Sequence, residues 1–319
     1  MAVLVGLTTD RFVDAGNLQN LALQVSIVAL VAIGSTLVIF TGGIDLSPGS
    51  AIALLTMIFA VIVKFGGVDL WVGLAVTLLL GAALGALNGV LTAYLRIPAF
   101  ITTLAALSAF RGVAFMFNNG SPVFEVSPFL EQLFYGTVGG LPLPLLYVVG
   151  FFIAAHWLMR WTPLGRSIYA IGGNPRAAHL SGINVKRTQF MAFVLAGVMA
   201  AVGAVLMAAR LNSGSPNYGA GLELQAIAAA VIGGASLAGG RGNVLATLLG
   251  ALTITIVQNG LNLNAVPTSM QNVIIGLIIV LAVGIDMWRN EIGGLLHRAV
   301  RPTRTVATQS PNPPEERTR

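Results

Sequence analysis

Apolar residues run through this chain in long unbroken blocks, and the polar positions collect between them. A membrane-crossing helix needs about 20 mostly apolar residues, within a range of roughly 17–25. Nine blocks qualify: 21–40, 47–63, 70–95, 98–117, 143–159, 190–209, 224–240, 244–262 and 270–285. The runs are continuous rather than alternating, so helices are expected and a barrel of strands is not. The pattern predicts an all-α polytopic transmembrane bundle of about nine spans over residues 21–287. A remnant segment, 1–20, precedes it, and a C-terminal tail, 288–319, follows. The tail is polar and contains proline, and is expected to be disordered from about residue 302. Gly81, Gly85 and Gly89 fall at four-residue steps, a small-residue stripe suited to close helix packing in lipid.

Composition narrows the class further. Of 319 residues, 56% are hydrophobic and 9% charged, with mean hydropathy +0.86. Soluble domains carry about 25% charged residues, so an ordinary soluble enzyme is excluded. There is no cysteine, and His156, His179 and His297 are too far apart in sequence to suggest a metal cluster. The net charge of +6 is spread thinly and does not point to nucleic acid. Its placement is more telling. Segment 160–189 holds Arg160, Arg166, Arg176, Lys186 and Arg187, whereas 118–142 holds Glu125 and Glu131 and no Lys or Arg. The positive-inside rule puts the first in the cytoplasm and the second outside. Alternation then places 13 cations inside and three outside, Arg11, Lys64 and Arg210, with Arg111 within a span. The C-terminus is expected to be cytoplasmic and the N-terminus external. The opening MAVLVGLTT is too short for a span or a secretory leader, so a first helix is expected to be truncated and residues 1–20 loosely packed.

Several polar positions invite a function. In 160–189, Asn174 can cap a short helix with Pro175 at its first position, carried on through Arg176, Ala177, Ala178, His179, Leu180 and Ser181 and stopped by Gly182. Such a knob, with the small residues Ala177 and Ala178, suits a groove in a partner. Asp45 and Ser47 lie in GGIDLSPGS (42–50), a gating or structural turn where the acid can cap the next helix or pair with a cation such as Arg241. GGASLAGG (233–240), with Gly233 and Gly234, echoes that turn 191 residues later, suggesting a two-fold internal repeat. Arg111 must face protein or a water-filled cavity. Asn88, Gln258, Asn259 and Asn262 are neutral amides in or near spans, fit either for inter-helix hydrogen bonds or for the hydroxyls of a translocated sugar.

Four strings, GGIDLSPGS, GGNPRAAHLSGINVKR (172–187), QAIAAAVIGGASLAGGRG (225–242) and VQNGLNL (257–263), occur in that order on this hydropathy pattern. Together they resemble the membrane permease of bacterial sugar ABC importers of the ribose/xylose/arabinose type, over about residues 12–287. The family has ten spans, so the first would be shortened here. The resemblance implies a non-catalytic subunit of the bacterial inner membrane, working as a homodimer that carries a monosaccharide, a pentose such as ribose or xylose being expected. ATP and Mg would sit on a separate ABC ATPase, touched by residues 174–182 as a coupling helix. A periplasmic or lipid-anchored binding protein would deliver the sugar. Independently, neither Lys64 nor Lys186 sits in the phosphate-loop pattern GxxxxGK[ST], so this chain does not cradle ATP by that route. An amino-acid or nucleoside ABC permease of the same fold stays open, as do an ion-coupled transporter and a passive channel. No span carries a central acid, which weighs against ion coupling.

Overall fold

A computed structural model describes residue 6 and residues 9–299, with side chains described to residue 284 apart from that of Asp10. Its helices are α1 (Ala15–Phe40), α2 (Pro48–Lys64), α3 (Leu70–Gly89, continued by a π turn, Val90–Tyr94), α4 (Ala99–Met116) and α5 (Leu143–Trp161). They continue as α6 (Pro163–Gly173), α7 (Pro175–Leu180), α8 (Val185–Leu211), α9 (Leu222–Ile232), α10 (Val244–Leu263) and α11 (Thr268–Ala299). Six helices are long and apolar enough to cross a membrane, counting α3 with its π turn, and α2, α9 and the first part of α11 are shorter apolar helices. The tail beyond 299, with its expected disorder, and most of MAVLVGLTT lie outside the described residues.

α1 is the central post. Its 26 residues span about 39 Å at 1.5 Å per residue, and from Leu21 onward almost every side is buried. A helix apolar all round must be wrapped by others. α8 lies against it where Gly34 meets Ala196; a Cβ on Gly34 would fall 2.9 Å from the Ala196 Cα. The glycine stripe of α3 packs on the other side of α8: a Cβ on Gly81 would lie 2.6 Å from the Gly197 carbonyl oxygen, and one on Gly85 would overlap that of Phe193. Deeper in the bundle Thr36 and Thr247 join α1 to α10 with a 3.0 Å hydroxyl pair. The segment 9–20 is less loose than expected. Phe12 is buried, and Asn17 on α1 exchanges two amide hydrogen bonds with Asn259 on α10, at 3.1 and 2.9 Å.

One span differs from its expected form. Helix α9 stops at Ile232, after 11 residues and about 16 Å, so the apolar block 224–240 is half helix and half irregular chain. Non-helical backbone packed inside a bundle must be satisfied by protein. Here Gly234 N–H donates to the Val231 carbonyl, Ala235 to Ala230, Ser236 to Arg241 and Gly239 to Ser236. At the other end of the bundle, residues 117–142 and 212–221 form a cover. Strand β1 (Val123–Phe124) pairs antiparallel with β4 (Ser213–Gly214), and β2 (Thr137–Val138) with β3 (Leu141–Pro142).

Candidate functional sites at the two ends of the bundle

The first site is built around α7. Thr162 caps α6, accepting from Gly165 N–H at 3.2 Å, with Pro163 at the first helical position. Asn174 ends α6 and caps α7, its Oδ1 accepting from Ala177 N–H at 3.0 Å, with Pro175 at the first position. Gly182 closes the turn in the left-handed region, φ +82°. Arg176, Ala177, His179, Leu180 and Ser181 are exposed, and Leu180 is 83% exposed. Ala178 is turned inward and only 5% exposed. The outward surface of α7 is therefore Ala177 and the bare Leu180 tip, rather than the Ala177–Ala178 pair.

Glycines fasten α6 and α7 to the rest of the bundle. Gly240 N–H donates to the Phe40 carbonyl at 3.0 Å, joining the end of α1 to the irregular stretch after α9. Gly172 sits in that contact: a methyl there would overlap the Phe40 carbonyl oxygen. Gly240, at φ +70°, faces Gly173, whose amide nitrogen would lie 2.5 Å from a Cβ on Gly240. Tyr169 completes the junction, its ring 4.9 Å from that of Phe40 and its hydroxyl donating to the Gly242 carbonyl at 3.0 Å. Burial pushes the Tyr169 phenol above its ordinary pKa, so it remains a donor. The two Gly-rich turns read from the sequence thus meet each other and the approach to α7. Gly233 packs on α10, where a Cβ would lie 2.6 Å from the Ala246 carbonyl oxygen, and Gly234 takes φ +88° in open space.

Asp45 is buried in the neighbouring turn. Its Oδ1 accepts from Ser47 N–H at 2.8 Å and from Ser47 Oγ at 2.7 Å, just ahead of Pro48 at the start of α2. Asn88 Nδ2 donates to Ser47 Oγ at 2.9 Å, which ties α3 to the same turn. The carboxylate therefore organises a helix start, and its hydrogen bonds come from Ser47 rather than Arg241.

The second site lies in the other half. A cavity of about 260 Å³ opens between α1, α8, α9 and α10, walled by Gln24, Gln225, Thr255, Gln258, Asn262 and Arg210 among others. Gln24, Gln225 and Gln258 come from three different helices, and their amides make no hydrogen bond among the described residues. Asn262 Oδ1 accepts from Gln271 Nε2 at 2.8 Å. A wall of neutral donors and acceptors with one cation suits a polyol better than an ion. Of the five amide and arginine positions read as a path, Gln258 and Asn262 line this cavity. Asn259 is paired with Asn17 and Asn88 with Ser47. Arg111 Nη1 donates to the Pro216 and Tyr218 carbonyls at 2.6 and 2.8 Å, bracing the loop before α9. Glu223 Oε1 accepts from Gly221 N–H at 3.3 Å at the start of that helix. Sequence reasoning missed Gln24 and Gln225, although a glutamine inside an apolar block was a visible signal. Tyr169 carried no such signal. Among the described residues, no group of three His, Cys, Asp or Glu could hold a metal.

Comparison with known proteins is consistent with this geometry. Residues 17–283 match the family described as branched-chain amino acid transport system / permease component. The chain is 42% identical to the ribose import permease protein RbsC of Escherichia coli strain K12, over 90% of each chain. It is 35% identical to the D-allose transport system permease protein AlsC of the same strain, over 90% of this chain and 88% of that one. It is also 35% identical to the xylose transport system permease protein XylH, over 88% and 87%. No solved structure matches.

Proposed function

The chain belongs to the branched-chain amino acid transport system / permease component family, and from that premise we propose that it is the non-catalytic membrane subunit of an ATP-driven monosaccharide importer. A pentose such as ribose is the expected cargo. The reading is supported by one observation: unpartnered glutamine amides converge on a cavity with a single cation, Arg210, in a chain 42% identical to a ribose import permease. Sugars present hydroxyls and no charge, and three free amides offer both donors and acceptors to them. The cavity half faces outward and takes the sugar from a binding protein. The α7 end faces the cytoplasm, where Leu180 enters a groove of an ABC ATPase that holds ATP and Mg. Two permease copies enclose the path between them in the inner membrane.

The backbone junction gives the mechanism its lever. Movement of α7 reaches α1 through Gly172 and Phe40, and reaches the stretch between α9 and α10 through Gly240. Both α1 and α9 contribute to the amide cavity, by Gln24 and Gln225. A push at the ATPase surface therefore changes the spacing of the amides, and with it the affinity for sugar. The test is uptake of labelled sugar by proteoliposomes containing the permease and its ATPase, with ATP inside and binding protein outside. ATP-dependent uptake of ribose, xylose or allose is expected; uptake indifferent to ATP but abolished by dissipating an ion gradient would overturn the proposal.

A further inference from the structure

A larger cavity, about 880 Å³, lies beside α7 and shares His179 and Gly182 with that first site. It opens to the surface between the turn at Gly42, the π turn of α3 with the segment after it, and the stretch from α7 into the start of α8. Arg96, His179 and Lys186 line it, no acidic residue does, and none of the three side chains makes an ion pair or hydrogen bond among the described residues. Arg96 is held at φ +61°, a backbone region that non-glycine residues seldom adopt. Thr92 also lines the wall, 6% exposed; its Oγ1 has no hydrogen-bond partner among the described residues and is itself buried beneath the cavity surface. Val185 and Lys186 belong to the first turn of a 27-residue helix, where amides lack intrahelical acceptors and the dipole favours an anion. On either side of the lining residues 96–99, Leu95 is 62% and Phe100 51% exposed, so bare apolar side chains adjoin the basic lining.

We infer that this cavity binds the headgroup of an anionic phospholipid, with its acyl chains along the α3–α4 surface. Basic clusters at the membrane boundary select anionic headgroups, and the apolar flanks favour a lipid over a free phosphate. The inference stands on the membrane placement of the bundle and not on the sugar assignment. Its consequence is that a lipid borders the surface on which α7 acts, so membrane composition would tune the response to the ATPase.

Native mass spectrometry of the purified full chain tests this, with phosphatidylglycerol, phosphatidylcholine and inorganic phosphate as probes. Wild type is expected to retain phosphatidylglycerol over phosphatidylcholine, and inorganic phosphate in excess is expected not to displace it. Arg96→Gln combined with Lys186→Gln should weaken phosphatidylglycerol retention roughly tenfold to thirtyfold. Arg96→Lys combined with Lys186→Arg should restore it, which separates lost charge from lost folding. Equal retention of the two lipids, displacement by inorganic phosphate, or unchanged binding in the glutamine variant would each overturn the inference. It would also fail if the glutamine variant kept the lipid but lost the ATPase, since the cavity would then serve the protein partner.

Discussion

At the α7 end three chain segments meet backbone to backbone, through Phe40, Gly172, Gly173 and Gly240. In the other half the facing groups are the long side chains Gln24, Gln225 and Gln258, left without partners in a cavity. Backbone contacts between glycines leave no rotamer to absorb a displacement, so movement is passed on. Free amides on three helices do the reverse: their geometry changes with helix spacing, and they gain partners when a hydroxyl-bearing ligand arrives. On the proposed function the contrast separates transmission from recognition, and it indicates where each would be broken alone.

The largest effect is expected at the junction. Gly172→Ala places a methyl on the Phe40 carbonyl, whereas a Cβ on the adjacent Gly173 meets nothing within 4 Å. Overpacking of this kind costs about 1–3 kcal/mol. Gly172→Ala should lower the melting temperature of the detergent-solubilised permease and abolish transport, while Gly173→Ala does neither. Equal melting temperatures would show that the junction yields. Next comes the exposed tip. Leu180→Asp removes an apolar anchor whose burial in a partner is worth about 1.5–3 kcal/mol, so ATPase affinity should fall by roughly tenfold to a hundredfold, read by titration of ATPase onto permease in nanodiscs. The fold should be untouched, because Leu180 has few neighbours to lose.

Smaller effects belong to single hydrogen bonds, worth about 0.5–1.5 kcal/mol each. Gln225→Leu or Gln258→Leu should reduce sugar transport up to about tenfold with an unchanged melting temperature, since neither amide supports the fold. Tyr169→Phe should cost about 1 kcal/mol of stability and slow transport slightly, by loosening Gly242. A loss of transport as large as that of Gly172→Ala would move the centre of transmission from the glycines to the tyrosine.

The spans and the α7 helix were legible because each rests on local signals: apolar runs of bilayer length, an Asn–Pro cap, a Gly stop. The glycine stripe 81–85–89 was legible for the same reason. What escaped depends on tertiary placement. Hydropathy could not distinguish the helical half of 224–240 from its irregular half, because both are apolar. Asn88, Asn259 and Gln258 look alike in sequence, yet two are spent on Ser47 and Asn17 and only the third faces the cavity. The inward turn of Ala178 against the outward Leu180 follows from how α7 lies on the bundle, which six residues do not encode alone.

The division of labour is tested most directly by comparing Leu180→Asp with Gln258→Leu in the same cells, measuring labelled ribose uptake and co-purification of the ATPase with the permease. Leu180→Asp should lose both. Gln258→Leu should lower uptake, by up to about tenfold, while keeping the ATPase at the wild-type level. A Gln258→Leu permease that sheds the ATPase, or a Leu180→Asp permease that keeps it and transports normally, would contradict the assignment of recognition to one end and transmission to the other.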